Sequence, residues 1–158
     1  MADYPVIGHV HLKVSDLERS IRFYQEVLGM ELQQSWGKSA AFLSYGGYHH
    51  HIGLNVWQSK GGSPPAPGTT GLFHLAILYP TRQALGKALQ GVLKAGVTID
   101  GAADHGVSEA IYFQDPDGNG IEIYWDKPRE QWPYKDGELS MGSDPLDLDE
   151  LLAEAERI

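Results

Sequence analysis

The sequence predicts an α+β fold. Paired βαβββ modules form a curved, cup-shaped mixed sheet, and a C-terminal tail with a short helix follows. Three observations predict it. Strand and helix signals run strand, helix, then three strands, twice over. The two runs align on residues: a shift of 65 pairs His9 with His74, Leu12 with Ile77, Gln25 with Gln90, Val27 with Val92 and Leu28 with Leu93. A Gly- and Pro-rich stretch, KGGSPPAPG at 60–68, lies between them. The expected organisation is one domain over residues 1–126, made of modules 6–59 and 69–126 joined by the linker 60–68, with an extension over 127–158.

In the first module, residues 6–14 alternate as a strand and put His9 and His11 on one face. Ser15-Asp16 offers a helix N-cap. The helix runs to about Leu28, with Leu17, Ile21, Tyr24 and Leu28 as its buried stripe and Gly29 as its stop. Residues 30–36, 40–45 and 49–57 read as strands, with turns at Gly37-Lys38 and Gly46-Gly47. The second module repeats the order: strand 71–79, helix 81–95, and strands 97–99, 109–114 and 120–125. Two extra residues before Gly96 keep Gly29 against Gly96 and Leu32 against Ile99. A shift of 63, which would pair His11 with His74, loses the helix matches. From Asp126 the chain turns polar and turn-rich, with no strand pattern. Asp147 then caps a helix, LDELLAEAERI, with Leu148, Leu151, Leu152 and Ala155 on one stripe and Glu150 completing a capping box. So short a helix needs a docking surface, either its own sheet or a second chain.

The 158 residues suffice for one domain with a real core. The net charge of −9 argues against nucleic acid or an anionic membrane as the main partner. Without cysteine there is neither a disulfide nor a thiolate metal site, so a metal would rest on His, Asp or Glu. No signal-peptide pattern opens the chain and no apolar run is long enough to span a bilayer, so a cytoplasmic protein is expected.

The chemistry centres on YFQDPDGNGIEIYW at 112–125. Two apolar runs flank the turn DPDGNG, and Glu122 interrupts the second. A carboxylate in such a strand must be solvated, paired or bound to a cation, because a lone buried charge is very costly. The repeat sets IEIYW against IGLNV, which places Glu122 opposite Gly53. His9, His74 and Glu122 then come from three strands at repeat-related places. Two imidazoles and one carboxylate make a facial triad, which suits non-haem Fe(II), with Mn(II), Zn(II) or Ni(II) as alternatives.

The strand with His9 followed by VSDLERSIRFYQEVLGMEL, the strand with His74, and DPDGNGIEIYW together resemble the vicinal oxygen chelate superfamily over about residues 6–126. That superfamily includes glyoxalase I, fosfomycin-resistance transferases, bleomycin-resistance proteins and extradiol catechol dioxygenases. The resemblance implies paired βαβββ modules around one metal, with ligand positions on His9, His74 and Glu122. In glyoxalase I a fourth ligand occupies the place where this chain has Gly53, which cannot ligate. The extradiol dioxygenases, the catechol 2,3-dioxygenase type above all, fit best. Their active-site His matches His50 in HHHIGL, their Tyr ten residues before the ligand Glu matches Tyr112, and a further His matches His105 of the His105-Gly106 pair with a two-residue gap. Strict alternation puts His49 and His51, not His50, on the face of Gly53, so His50 requires a bulge or an irregular strand start.

The function implied is Fe(II)-dependent extradiol cleavage of a catecholic substrate, or another vicinal-oxygen chelator, with dioxygen as co-substrate. His50 would be the base, Tyr112 a partner of a substrate oxygen, His105 a distal support, and Trp57, Phe42 and Phe113 apolar walls. Catechol dioxygenases of this group usually carry two such domains, so the tail or a partner chain, as in a homodimer, would close the pocket. Two other readings stand beside it. One is a metal-dependent lyase, isomerase or transferase; the other is a metal-free ligand-binding or resistance protein.

Overall fold

The computed structural model describes residues 3–158. The chain divides into two compact units, Met1–Thr69 and Thr70–Ile158. Each has its own mixed sheet and its own core, and each follows the predicted βαβββ order.

The first unit contains β1 (Val10–Lys13), α1 (Leu17–Glu26), β2 (Glu31–Trp36), β3 (Ala40–Ser44) and β4 (Ile52–Asn55). Its sheet order is β1-β4-β3-β2, with β1 parallel to β4 and the other pairs antiparallel. The Asp16 carboxylate accepts from the Arg19 N–H at 3.1 Å and so starts α1 where the sequence places it. Leu17, Tyr24 and Leu28 are buried as expected, together with Leu12, Val14, Leu43 and Leu54. Beyond α1 the Tyr45 hydroxyl donates to the Leu28 carbonyl at 2.6 Å, which ties the end of β3 to the helix exit.

The second unit contains β5 (His74–Tyr79), α2 (Arg82–Lys94), β6 (Gly101–Asp104), β7 (Ser108–Gln114), β8 (Gly120–Asp126), a 3-10 turn at Arg129–Gln131, β9 (Tyr134–Lys135), β10 (Glu138–Leu139), β11 (Asp144–Pro145) and α3 (Leu148–Ala155). The main sheet runs β11-β6-β7-β8-β5, with β5 parallel to β8; β9 and β10 pair as a separate two-stranded ribbon. Thr81 caps α2 by accepting from the Ala84 N–H at 3.0 Å. Leu85, Leu89 and Val92 of α2 are fully buried, as are Ile111, Ile121 and Ile123 of the sheet. The DPDGNG turn is built on Asp115. Its carboxylate accepts from the N–H groups of Asp117 and Asn119 and from the Asn119 side-chain amide, each at 2.9 Å.

Three local expectations change. The strand expected at 97–99 lies instead at Gly101–Asp104, because pairing starts where the Asp100 N–H donates to the Tyr112 carbonyl. The tail, which carries no strand pattern, nevertheless forms three two-residue strands. Backbone groups alone make those ladders, so no side-chain alternation announces them. The last helix docks not on a sheet but on α2 of its own unit. Leu151 and Ala155 are buried, and Arg82 at the start of α2 reaches Glu109 at 2.8 Å, Glu150 at 3.5 Å and Glu154 at 3.7 Å. Burial opposes the Arg82 charge, but these three carboxylates outweigh it and raise its pKa. Among the described residues no helix is long and apolar enough to cross a membrane.

Candidate metal centre

With Ile52 set on Ile121, as the match of IGLNV with IEIYW sets them, strand register carries the repeat back to the first strand of each unit. In the first unit Val10 lies opposite Ile52 and His11 opposite Gly53. In the second, Leu75 lies opposite Ile121 and Ala76 opposite Glu122. Setting Ile52 on Ile121 makes Leu75 the counterpart of Val10 and Ala76 that of His11. One residue earlier, His9 is the counterpart of His74. The 65-residue shift therefore holds in backbone pairing, and the shift of 63 does not.

In the second unit the side chains of four candidate residues form one chain of contacts. His74 Nε2 lies 2.8 Å from Glu122 Oε2. Tyr112, paired directly across from Glu122 in the β7–β8 ladder, places its hydroxyl 3.2 Å from Glu122 Oε1. The same hydroxyl is 2.6 Å from His105 Nε2. Burial, the Glu122 charge and the hydrogen bond to it push the Tyr112 phenol up to about 12, so it stays protonated at neutral pH. His74 Nδ1 is buried and has no hydrogen-bond partner among the described residues. The ring is held instead by Nε2 and by packing against Tyr112 at 5.6 Å and Phe73 at 5.3 Å. Glycine at 120 makes this possible. A methyl there would overlap the Phe73 carbonyl and lie 2.9 Å from His74 Cβ.

The residues of this pair suit a divalent ion. Two donors about 2.1 Å from one ion at a right angle stand about 3 Å apart, close to the His74–Glu122 separation of 2.8 Å. Among the described residues no group of three His, Cys, Asp or Glu side chains is gathered as a ligand cluster. His74 and Glu122 are a two-donor pair within the second unit, and His9 belongs to the first.

In the first unit His9 stands just before β1, exposed, with its ring 4.2 Å from that of His50. β4 begins only at Ile52, so residues 49–51 are irregular, and His50 turns onto Phe42 at 5.1 Å. This is the irregular start that His50 needs to leave the alternation of His49 and His51. Its Nδ1 lies 2.8 Å from that of His49. Burial first, then the neighbouring His9, His49, His11 and His51, lower the His50 pKa and hold the ring neutral. His51 is occupied elsewhere, accepting from the Tyr45 N–H at 3.2 Å.

His11, the rival of His9, is also engaged. Asn55 Oδ1 accepts from the Trp57 N–H at 3.1 Å, so its amide nitrogen donates to His11 Nε2 at 2.9 Å. The His11 ring covers Gly53, and a side chain added there would meet Nδ1 at 2.8 Å. Position 53 therefore lacks both a ligating atom and the room for one.

Of the apolar walls, Phe42 and Trp57 do lie near these histidines, Phe42 at 5.1 Å from His50 and Trp57 at 5.8 Å from His11. Phe113 does not serve. It alternates with Tyr112 and is 1% exposed in the core. Sequence reasoning missed Trp36, which packs on Phe42 at 4.9 Å, and the contact of Gly142 with His105, whose Nδ1 lies 2.9 Å from the Gly142 carbonyl. No sequence pattern signals a backbone carbonyl 37 residues away. Gly120, in contrast, stands in the DPDGNG turn, where the sequence signals a turn residue and nothing of its room for His74.

Comparison with known proteins places the chain in a family. The "Glyoxalase/Bleomycin resistance protein/Dioxygenase superfamily" matches residues 6–123. A Bacillus subtilis (strain 168) protein named catechol-2,3-dioxygenase is 38% identical over 151 residues, which are 94% of this chain and 52% of that one. This chain thus spans about half the length of that relative. A probable lactoylglutathione lyase of Vibrio parahaemolyticus is 30% identical over 130 residues, 77% of this chain and 91% of its own. A crystal structure of a glyoxalase/dioxygenase from Nostoc punctiforme superposes with a TM-score of 0.63 at 23% identity, covering 78% of this chain and 92% of that one, and supports the fold. Fold, register and sequence agree that the chain belongs to the glyoxalase/bleomycin resistance protein/dioxygenase superfamily.

Proposed function

We propose that the protein is a metal-dependent extradiol-type dioxygenase acting on a catecholic substrate. The observation that carries this reading is the unbroken contact from His105 through Tyr112 and Glu122 to His74, the residue types such a site requires in one hydrogen-bonded line. The relative named catechol-2,3-dioxygenase, at 38% identity, points the same way.

His74, Glu122 and His9, the register counterpart of His74, would hold the ion, with Fe(II) as the metal that suits the set. When bound, Fe(II) supplies chelation of adjacent substrate oxygens and activation of dioxygen. The chain's own residues position and move protons. His50, packed against His9, takes the proton of a substrate hydroxyl and later returns it, a role that the free lone pair of a neutral imidazole suits. The Tyr112 hydroxyl hydrogen-bonds a substrate oxygen. Phe42 and Trp57 offer apolar surface on the His50 side.

The test is anaerobic loading with Fe(II), then air and a panel of catechols, followed by the yellow ring-cleavage product. Rapid yellowing is expected, and Glu122→Ala should lower it by at least about 100-fold. No colour from a fully iron-loaded protein would sink catechol cleavage. A second reading, a metal-dependent lyase or isomerase, draws on the Vibrio relative, 91% of which this chain covers. Inertness toward catechols together with firm Zn(II) or Mn(II) binding would favour it.

A further inference from the structure

We propose that the C-terminal extension is part of the catalytic apparatus. It acts as a strap that fixes His105 as the Nδ1–H tautomer and so aims Nε2 at Tyr112. The extension lies beyond residue 123, where the family match ends. It is nevertheless anchored around the β6–β7 turn that carries His105. Pro133 packs on Gly106, where an added Cβ would lie 2.8 Å from Pro133 Cγ. The Ser140 N–H donates to the Pro133 carbonyl at 2.9 Å, closing the strap on itself. The Gly142 N–H donates to the His105 carbonyl at 3.1 Å, and the Gly142 carbonyl lies 2.9 Å from His105 Nδ1. Asp144 and Pro145 then add β11 to β6 opposite Asp104 and Ala103.

The tautomer follows from the chemistry of these groups. A carbonyl oxygen only accepts, so Nδ1 must carry the proton. In the neutral ring Nε2 is then a lone pair, 2.6 Å from the Tyr112 hydroxyl. The phenol has one proton and two acceptors, His105 Nε2 and Glu122 Oε1, and the His105 contact is the shorter. With Nε2 as a lone pair, His105 accepts from the Tyr112 hydroxyl and shares its one proton with Glu122 Oε1, which leaves the phenol oxygen an acceptor toward a substrate hydroxyl. His105 and Gly142 are positioning residues for Tyr112. Without the strap, His105 would revert to the Nε2–H tautomer that histidine favours in water, and two donors would face each other. The catalytic consequence rests on the dioxygenase reading; the tautomer does not.

The experiment uses the full chain labelled with ¹⁵N-histidine and two-bond ¹H–¹⁵N correlation spectra, which report which ring nitrogen is protonated. The neutral His105 ring is expected as Nδ1–H. Gly142→Pro removes the donor to His105 and Ser140→Pro removes the closing bond, and each should shift His105 toward Nε2–H. In the iron-loaded enzyme each should lower kcat about tenfold with KM little changed. Gly142→Ala keeps both backbone groups and meets open space, so its spectrum should match the parent. An Nε2–H ring in the parent protein would overturn the proposal. So would a persistent Nδ1–H ring in both proline variants. If neither proline variant folds, the parent spectrum decides alone. An Nδ1–H ring in an enzyme inert to catechols would sink the dioxygenase reading while the strap stands.

Discussion

At the residue scale, the candidate site depends on side chains that must be absent as much as on those present. Gly120 lies opposite His74 in the parallel β5–β8 pair, and its missing Cβ leaves room for the Phe73 carbonyl and the base of the His74 side chain. Gly120→Ala is expected to push β5 away and turn His74 from Glu122. Overpacking of this kind costs about 1–3 kcal/mol, so chemical denaturation should show that loss, and metal titration should show weaker binding than in the parent. An unchanged metal affinity would mean that His74 is not held where it matters. Gly53 is a second such absence, covered by the His11 ring. The Asp104 carboxylate shows the opposite device, a charge that steadies the turn before His105. Burial pushes its pKa up, but Lys127 at 2.7 Å and the Gly106 N–H at 2.8 Å overcome that and hold it low.

At the element scale, helices and strands share the cores, β5, β7 and β8 carry His74, Tyr112 and Glu122, and irregular segments carry His9, His50 and His105. α1 and α2 start at Asp16 and Thr81, 65 residues apart, each with a side-chain cap, of which the sequence reading names the first. β4 is different. It is four residues long, and its delayed start is what lets His50 pack on Phe42 and His9. α3 has eight residues, too few to persist alone, and is stabilised by seating Leu151 and Ala155 on α2. Leu151→Ala should cost about 2–5 kcal/mol by opening a cavity at that seat. Thermal unfolding measured beside amide exchange in α3 would check it, since loss of protection should be greatest there. Equal loss across both units would place the role of α3 elsewhere.

At the scale of the whole molecule, each unit holds candidate ligands of its own, His9 in the first and His74 with Glu122 in the second. Binding linkage makes this testable without turnover. Mn(II), added anaerobically at about 100 times its dissociation constant, should stabilise the folded protein by about 2.7 kcal/mol, visible as a rise in Tm. His9→Ala and His74→Ala should each abolish most of that rise. A rise that survives His9→Ala would remove His9 from the ligand set.

Much of this was legible in the sequence because it is local or periodic. The caps, the helix stripes, the DPDGNG turn and the repeat that pairs His9 with His74 rest on spacing along the chain, and spacing is what a sequence records. The anomalous Glu122 in an apolar strand was visible for the same reason. Tertiary structure decided what depends on backbone pairing and on contacts distant in sequence. It moved the strand expected at 97–99 to Gly101–Asp104, sent Phe113 into the core, seated α3 on α2, and brought the Gly142 carbonyl to His105. Backbone hydrogen bonds are open to nearly every residue type, so the letters do not say which partner a carbonyl finds; only the folded chain, by satisfying all such groups at once, makes that choice.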